Sequence, residues 1–209
     1  MDEQADDVPV VIRRGTAADA EAAARLHAGL IGDGFLASLG PRFLRHLYRC
    51  VARDPDSFLL MADVGDGPPG TPPPVAGFLA GAVDLRALYR RFVWRHGLAA
   101  TAGSLPRLVA ALPRVWETLR HGAGPAPAAA GAELLAIAVD PAWRGRHVGA
   151  LLVDGFLDEL GRRGVAEAQV VVGADNTAAV ALYGRAGFRP AATFELHRGT
   201  TSLVMRRPG

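Results

Sequence analysis

The sequence predicts an α/β (α+β) fold, a mixed sheet of about seven strands flanked by helices, in one domain over residues 1–209. Three observations carry that expectation. A chain of 209 residues with 50% hydrophobic positions can bury one substantial core. Short apolar runs of strand character alternate with segments whose apolar residues recur every three or four positions. Towards the C-terminus, strand, helix and strand follow at the spacing of a right-handed crossover, which makes two strands parallel.

Taken in order, residues 8–12 read as a first strand, and Thr16 with Asp19 makes a capping-box start for a helix to about residue 30. The next helix is expected over 41–53, where Phe43, Leu44, Leu47, Tyr48 and Val51 keep the helical period and Arg42, Arg45, Arg49 and Arg53 take the other side. Antiparallel strands over 57–64 and 75–83 flank GDGPPGTPPP, whose prolines lack the donor that a ladder needs. Residues 85–121 read as a helical insertion between the third and fourth strands, broken around 103–106 and followed by a flexible linker, GAGPAPAAAG. Then come a strand over 133–139, a helix over 148–163, a strand over 167–172, a helix over 177–186 and strands over 188–195 and 201–206. Gly164 stands where the helix from Val148 needs a left-handed cap.

Composition narrows the chemistry. All 23 basic residues are arginine, so a lysine nucleophile or Schiff base is excluded. The single cysteine, Cys50, permits no internal disulfide and sits in an apolar helical pattern, which suits packing in a reducing cytoplasm. The leader MDEQADD has no apolar core of a signal peptide, and no run approaches the roughly 18 apolar residues of a membrane span. The expectation is a soluble cytoplasmic protein without an integral membrane segment.

The segment DPAWRGRHVGALL, 140–152, carries the strongest chemical signal. It places Arg144, Gly145, Arg146, His147 and Gly149 at the start of an apolar helical run. First-turn N–H groups lack intrahelical partners and sit at the positive end of the helix dipole, and glycine lets a phosphate approach the backbone. Arginine adds charge and a fork that matches phosphate oxygens. On spacing alone, an anion cradle and a solvated polar loop both remain open.

A second element, ADNTAAVALYGRAGFR, follows it. Together the two resemble the GNAT superfamily of acetyl-CoA-dependent N-acetyltransferases. Arg144 and Gly149 match its R/Q-x-x-G-x-G/A signature, and Asn176, Ala179, Leu182, Tyr183, Gly187 and Phe188 match the second element. The departure is His147, where the family usually has glycine; it costs little in helical geometry and roughly 1–2 kcal/mol at positive φ. The resemblance implies a GNAT fold with a central, mostly antiparallel sheet. It also implies a pyrophosphate clamp from Arg144, Gly145, Arg146, His147, Val148, Gly149 and Ala150, with Asn176 and Ala179 as further cofactor contacts and no metal. Backbone groups of Ile137, Ala138 and Val139 would align the pantetheine arm and acetyl carbonyl.

The implied reaction is direct transfer of acetyl from acetyl-CoA to a primary amine in a ternary complex. Tyr183 is the candidate acid, because a phenol keeps its proton at neutral pH and a departing thiolate accepts it; packing against Phe188 is the alternative reading. Glu133 is the candidate base, on one strand face with Leu135, Ile137 and Val139, where apolar neighbours raise a carboxyl pKa; an exposed strand-start glutamate is the alternative. The glutamate that ribosomal-protein acetyltransferases carry on the next strand is replaced by Val171. His27, Asp33, Phe35 and Glu195 are candidate acceptor contacts, with His197 as an alternative base.

The insertion holds seven arginines, one glutamate, and Tyr89, Phe92, Trp94 and Trp116. It suits a lid or a homodimer wall better than membrane contact, and its apolar face can equally pack on the domain. No base-stacking motif accompanies the arginines, so no nucleic-acid partner is expected. A small-molecule amine, such as an amino sugar, is the expected acceptor. A protein amine and a non-catalytic acyl-CoA sensor are the competing readings.

Overall fold

The computed structural model describes residues 8–31, 36, 39–65, 73–96, 131–197 and 200–209. Asp33, Phe35, the interior of the proline-rich loop, the second half of the insertion and the linker lie outside the described residues. The strands are β1 (Val10–Arg14), β2 (Ser57–Val64), β3 (Val75–Ala82), β4 (Ala132–Val139), β5 (Ala168–Gly173), β6 (Arg189–His197) and β7 (Thr200–Arg207). They form a seven-stranded sheet in the order β1-β2-β3-β4-β5-β7-β6. β1 runs antiparallel to β2, β4 parallel to β5, and β7 antiparallel to both β5 and β6. The mixed sheet and flanking helices are those expected from the sequence. The helices are α1 (Ala20–Leu30), α2 (Pro41–Arg53), α3 (Leu85–His96), α4 (Val148–Arg162) and α5 (Thr177–Arg185).

The chain divides into two compact units, Met1–Gly81 with Ala136–Glu159, and Ala82–Leu135 with Leu160–Gly209. In the first, β2 is buried along its whole length, as a strand covered on both faces must be. Leu44, Tyr48 and Val51 of α2 and Leu152, Val153 and Phe156 of α4 are buried with it. Gly77 of β3 allows a close approach: a Cβ there would meet the Ala138 carbonyl oxygen at 2.7 Å and Leu152 at 3.2 Å. α1 begins at Ala20, just beyond the expected capping box, whose Thr16–Asp19 contact is made while the same carboxylate also takes a partner outside it. Asp19 accepts from the Thr16 N–H and from both terminal nitrogens of Arg13, whose Nε donates to Asp63. Burial pushes the Asp19 carboxyl up, but the hydrogen bonds from Arg13 and Thr16 outweigh it and hold the group below its ordinary value.

In the second unit, Leu134, Val170, Met205, Tyr183 and Phe188 are buried. The insertion is anchored at its start, where Ala87 and Leu88 are buried and the Asp84 carboxylate accepts from the Ala87 N–H. At the end of α4, Gly164 has φ 68°, its N–H donates to the Gly161 carbonyl, and the Val165 N–H donates to that of Leu160. That pair of bonds is the glycine cap expected there.

Two backbone and burial features yield measurements. His147 has φ 60° and is the sole non-glycine residue at positive φ among the described residues. We predict that His147→Gly stabilises the chain by up to about 1 kcal/mol, since relief of left-handed strain exceeds glycine's added entropy cost; a lower denaturation midpoint would count against strain. His27 is 3% exposed, and its Nδ1 shares a 2.5 Å hydrogen bond with the Tyr48 hydroxyl. Burial pushes its pKa down, so below about pH 6.5 the unfolded chain binds the proton that the folded chain refuses. Stability should therefore fall as pH drops from 6.5 towards 5, and His27→Gln should flatten that fall in denaturant titrations; an unchanged slope would remove His27 as its source.

Candidate active site

In the first unit, β4 leads into a short 3₁₀ turn, Pro141–Trp143, capped by Asp140, whose Oδ1 accepts from the Ala142 N–H at 2.9 Å. Engaged in this way, the Asp140 carboxylate bonds within its own turn. Gly145 follows at φ 79° with nothing within 4 Å of where a Cβ would stand, and His147 leads directly into α4. Arg144, Gly145 and His147 are exposed, and the Arg146 guanidinium lies 5.0 Å above the Trp143 ring. The Arg144 Nε donates to the Val139 carbonyl at 3.4 Å. The first-turn N–H groups of Val148, Gly149 and Ala150 precede any possible i−4 partner in the helix. Open backbone donors, a glycine without overhead contact and two arginines fit a pyrophosphate. Trp143, absent from the sequence-based set, supports one of those arginines through a cation–π contact, detectable as an aromatic three residues before it.

In the second unit, Asn176 caps α5: its Oδ1 accepts from the Ala179 N–H at 3.1 Å. Tyr183, one turn further along, is buried with its ring 5.9 Å from that of Phe188. Burial raises its pKa to about 12, so the phenol keeps its proton throughout the useful pH range. The packing reading and the acid reading are thus compatible: the ring is held by Phe188 while the hydroxyl is a protonated donor.

Glu133 sits on the half-exposed face of β4, with Leu135, Ile137 and Val139 at alternate positions. It is paired in register with Gln169 of β5, whose Nε2 donates to the Glu133 carboxylate at 2.8 Å. Burial raises the Glu133 pKa and the Gln169 hydrogen bond opposes that rise; the net direction is upward. Gln169 was missed from sequence, because only the β4–β5 register identifies it as the neighbour of Glu133. Val171, on the same face of β5, is 40% exposed. Glu195 is exposed on β6, opposite Thr201, whereas His27 is enclosed in the first unit beside Tyr48. Among the described residues, no group of three or more His, Cys, Asp or Glu is placed to hold a metal, and no helix is long and apolar enough to cross a membrane.

Comparison with known proteins follows the same line. The acetyltransferase (GNAT) family matches residues 41–188. The [ribosomal protein bS18]-alanine N-acetyltransferase of Escherichia coli is 41% identical over 82 residues, 37% of this chain and 55% of the relative. A mycothiol acetyltransferase of Kocuria rhizophila is 37% identical over 73 residues, 35% of this chain and 23% of the relative. The chain thus spans between about a quarter and about half of the length of these relatives. A solved GCN5-related N-acetyltransferase from Kribbella flavida has the same fold, with a TM-score of 0.64, 22% identity and coverage of 95% of this chain and 97% of its own. With the family match running from the start of α2 to Phe188, just before β6, across both signature elements, the chain belongs to the GNAT acetyltransferase family.

Proposed function

We propose that the chain is an N-acetyltransferase that moves an acetyl group from acetyl-CoA to a primary amine by direct attack in a ternary complex, working as one domain with 85–121 as an insertion. The observation that carries this reading is the turn from Arg144 to Ala150, whose open backbone donors, arginines and left-handed glycine suit a pyrophosphate and lie inside the family match. Acetyl-CoA supplies an activated acetyl thioester. The amides from Arg146 to Ala150 hold its pyrophosphate, and the backbone of Ile137, Ala138 and Val139 orients the acetyl carbonyl. Glu133 takes a proton from the amine, and Tyr183 gives one to the departing sulfur. Asn176 and Ala179 serve the same cofactor at the start of α5.

For the acceptor, we infer a small-molecule amine, met in the cytoplasm by a monomer or homodimer. Glu195 is a proposed contact with it, and His27, Asp33 and Phe35 complete the proposed set. Val171 supports this preference, since an aliphatic residue stands where the family resemblance puts a glutamate in enzymes of ribosomal proteins. The 41% identity to a ribosomal-protein-alanine acetyltransferase favours a protein amine as the second reading.

A free-thiol assay with acetyl-CoA and a panel of small amines and peptide N-termini tests the whole reading. Bound acetyl-CoA without thiol release on any amine would instead mark an acyl-CoA-binding module. Tyr183→Phe should lower kcat roughly 100-fold, within the range of general acid catalysis, while leaving acetyl-CoA affinity within a few-fold of the parent; parental kcat would dismiss Tyr183 as the acid. A base must be ionised, so kcat/KM should fall as pH drops through the raised Glu133 pKa, at a higher pH than for an ordinary glutamate. Glu133→Gln should abolish that limb together with most of the rate, and an unchanged pH profile would exclude Glu133.

A further inference from the structure

The half-exposed face of the second unit carries a polar row that runs across three strands. Glu133 of β4 is in register with Gln169 of β5, and Gln169 is in register with Arg206 of β7. Paired positions on neighbouring strands project from the same side of a sheet, and the 2.8 Å bond from Gln169 Nε2 to Glu133 follows from that. An amide has a donor end and an acceptor end, whereas a carboxylate only accepts and a guanidinium only donates. Of these two possible bonds the structure makes the one to Glu133, with the Gln169 NH₂ towards the carboxylate. The Arg206 Nε is buried without a hydrogen-bond partner, so the bond to Glu133 is the contact that holds the Gln169 amide.

We propose that Gln169 is a positioning residue: its amide fixes the Glu133 carboxylate in one rotamer and keeps it ionised on the face where the amine is deprotonated. The inference deepens the proposed transfer and rests on Glu133 being its base. Burial raises the Glu133 pKa, and a donor that bonds the ionised form more strongly than the neutral one counters this rise. Among the described residues, burial and Gln169 are the influences on its charge, and the groups around it are few. Along β4 its face continues with Leu135, Ile137 and Val139. Beside β4 lies β3, and Asp84, two residues beyond that strand, has its Oδ1 bonded to the Ala87 N–H. From the β5 side the charged groups in the row are Arg206 and, paired with it on β6, Arg189, whose terminal nitrogen donates to the Gly184 and Phe188 carbonyls.

The test is a ¹³C titration of the Glu133 carboxyl in chain labelled with [δ-¹³C]glutamate, its resonance identified by loss in Glu133→Gln, alongside the pH profile of thiol release. Gln169→Met keeps the length of the side chain and removes the donor. The Glu133 midpoint should rise by about one pH unit, as expected for loss of a hydrogen bond to a charged group. The acid limb of kcat/KM should move up by the same amount, with the rate recovering towards the parent's above it. Gln169→Glu is nearly isosteric and places a second carboxylate beside the first, so it should raise the midpoint further, and it carries the test if the methionine variant does not fold. An unmoved midpoint in the folded variant, or a rate loss equal at every pH, would overturn the proposal. Absent thiol release from the parent would end the transferase reading instead, while the carboxyl titration would still decide whether Gln169 holds Glu133 ionised.

Discussion

The pleat of β4 is the constraint on which the rest depends. Successive side chains of a strand point to opposite faces, so a strand with one buried side must divide its residues by parity. Ala132, Leu134 and Ala138 are buried, while Glu133, Leu135, Ile137 and Val139 are half-exposed. A one-residue slip would bury the Glu133 carboxylate and force Leu135, Ile137 and Val139 into space now filled mostly by alanine. The same strand contributes its first half to the second unit and its second half to the first.

Arginine does two kinds of work in this chain, and local burial separates them. Arg13 is tied to Asp19 and Asp63, and Arg14 to Glu159, whose side chain is 4% exposed. Such pairs cross-link β1 to its neighbours, and removing one partner would leave a buried carboxylate uncompensated. Arg144 and Arg146 instead lie on a turn whose acidic residue, Asp140, is occupied with the Ala142 N–H. The turn is also where the backbone carries left-handed strain at a histidine. Strain of that kind persists where the surrounding structure fixes the geometry, and here Gly145 before it and α4 after it do so.

The site also shows how burial and hydrogen bonding set protonation in opposite senses. Tyr183 and Glu133 both have raised pKa values from desolvation, but the consequences differ by charge type. A phenol pushed to about 12 is more firmly a donor. A carboxyl pushed up is brought closer to neutrality and becomes a better base where it is ionised, provided that something limits the rise. Gln169 is the residue bonded to do so.

By itself the sequence determined the order of elements, the strand and helix periods, the glycine at the end of α4 and the two signature elements with Asn176 and Tyr183. These rest on local chemistry, on side-chain spacing along one segment and on which residues tolerate a left-handed backbone. It also pointed to Glu133 by parity along a single strand. Only the tertiary structure decided the left-handed φ of His147, the enclosure of His27 beside Tyr48, the second use of Asp19 as the partner of Arg13, and the row joining Glu133 to Gln169 and Arg206. Each depends on which distant residue arrives alongside, and strand register, rather than spacing along the chain, fixes that.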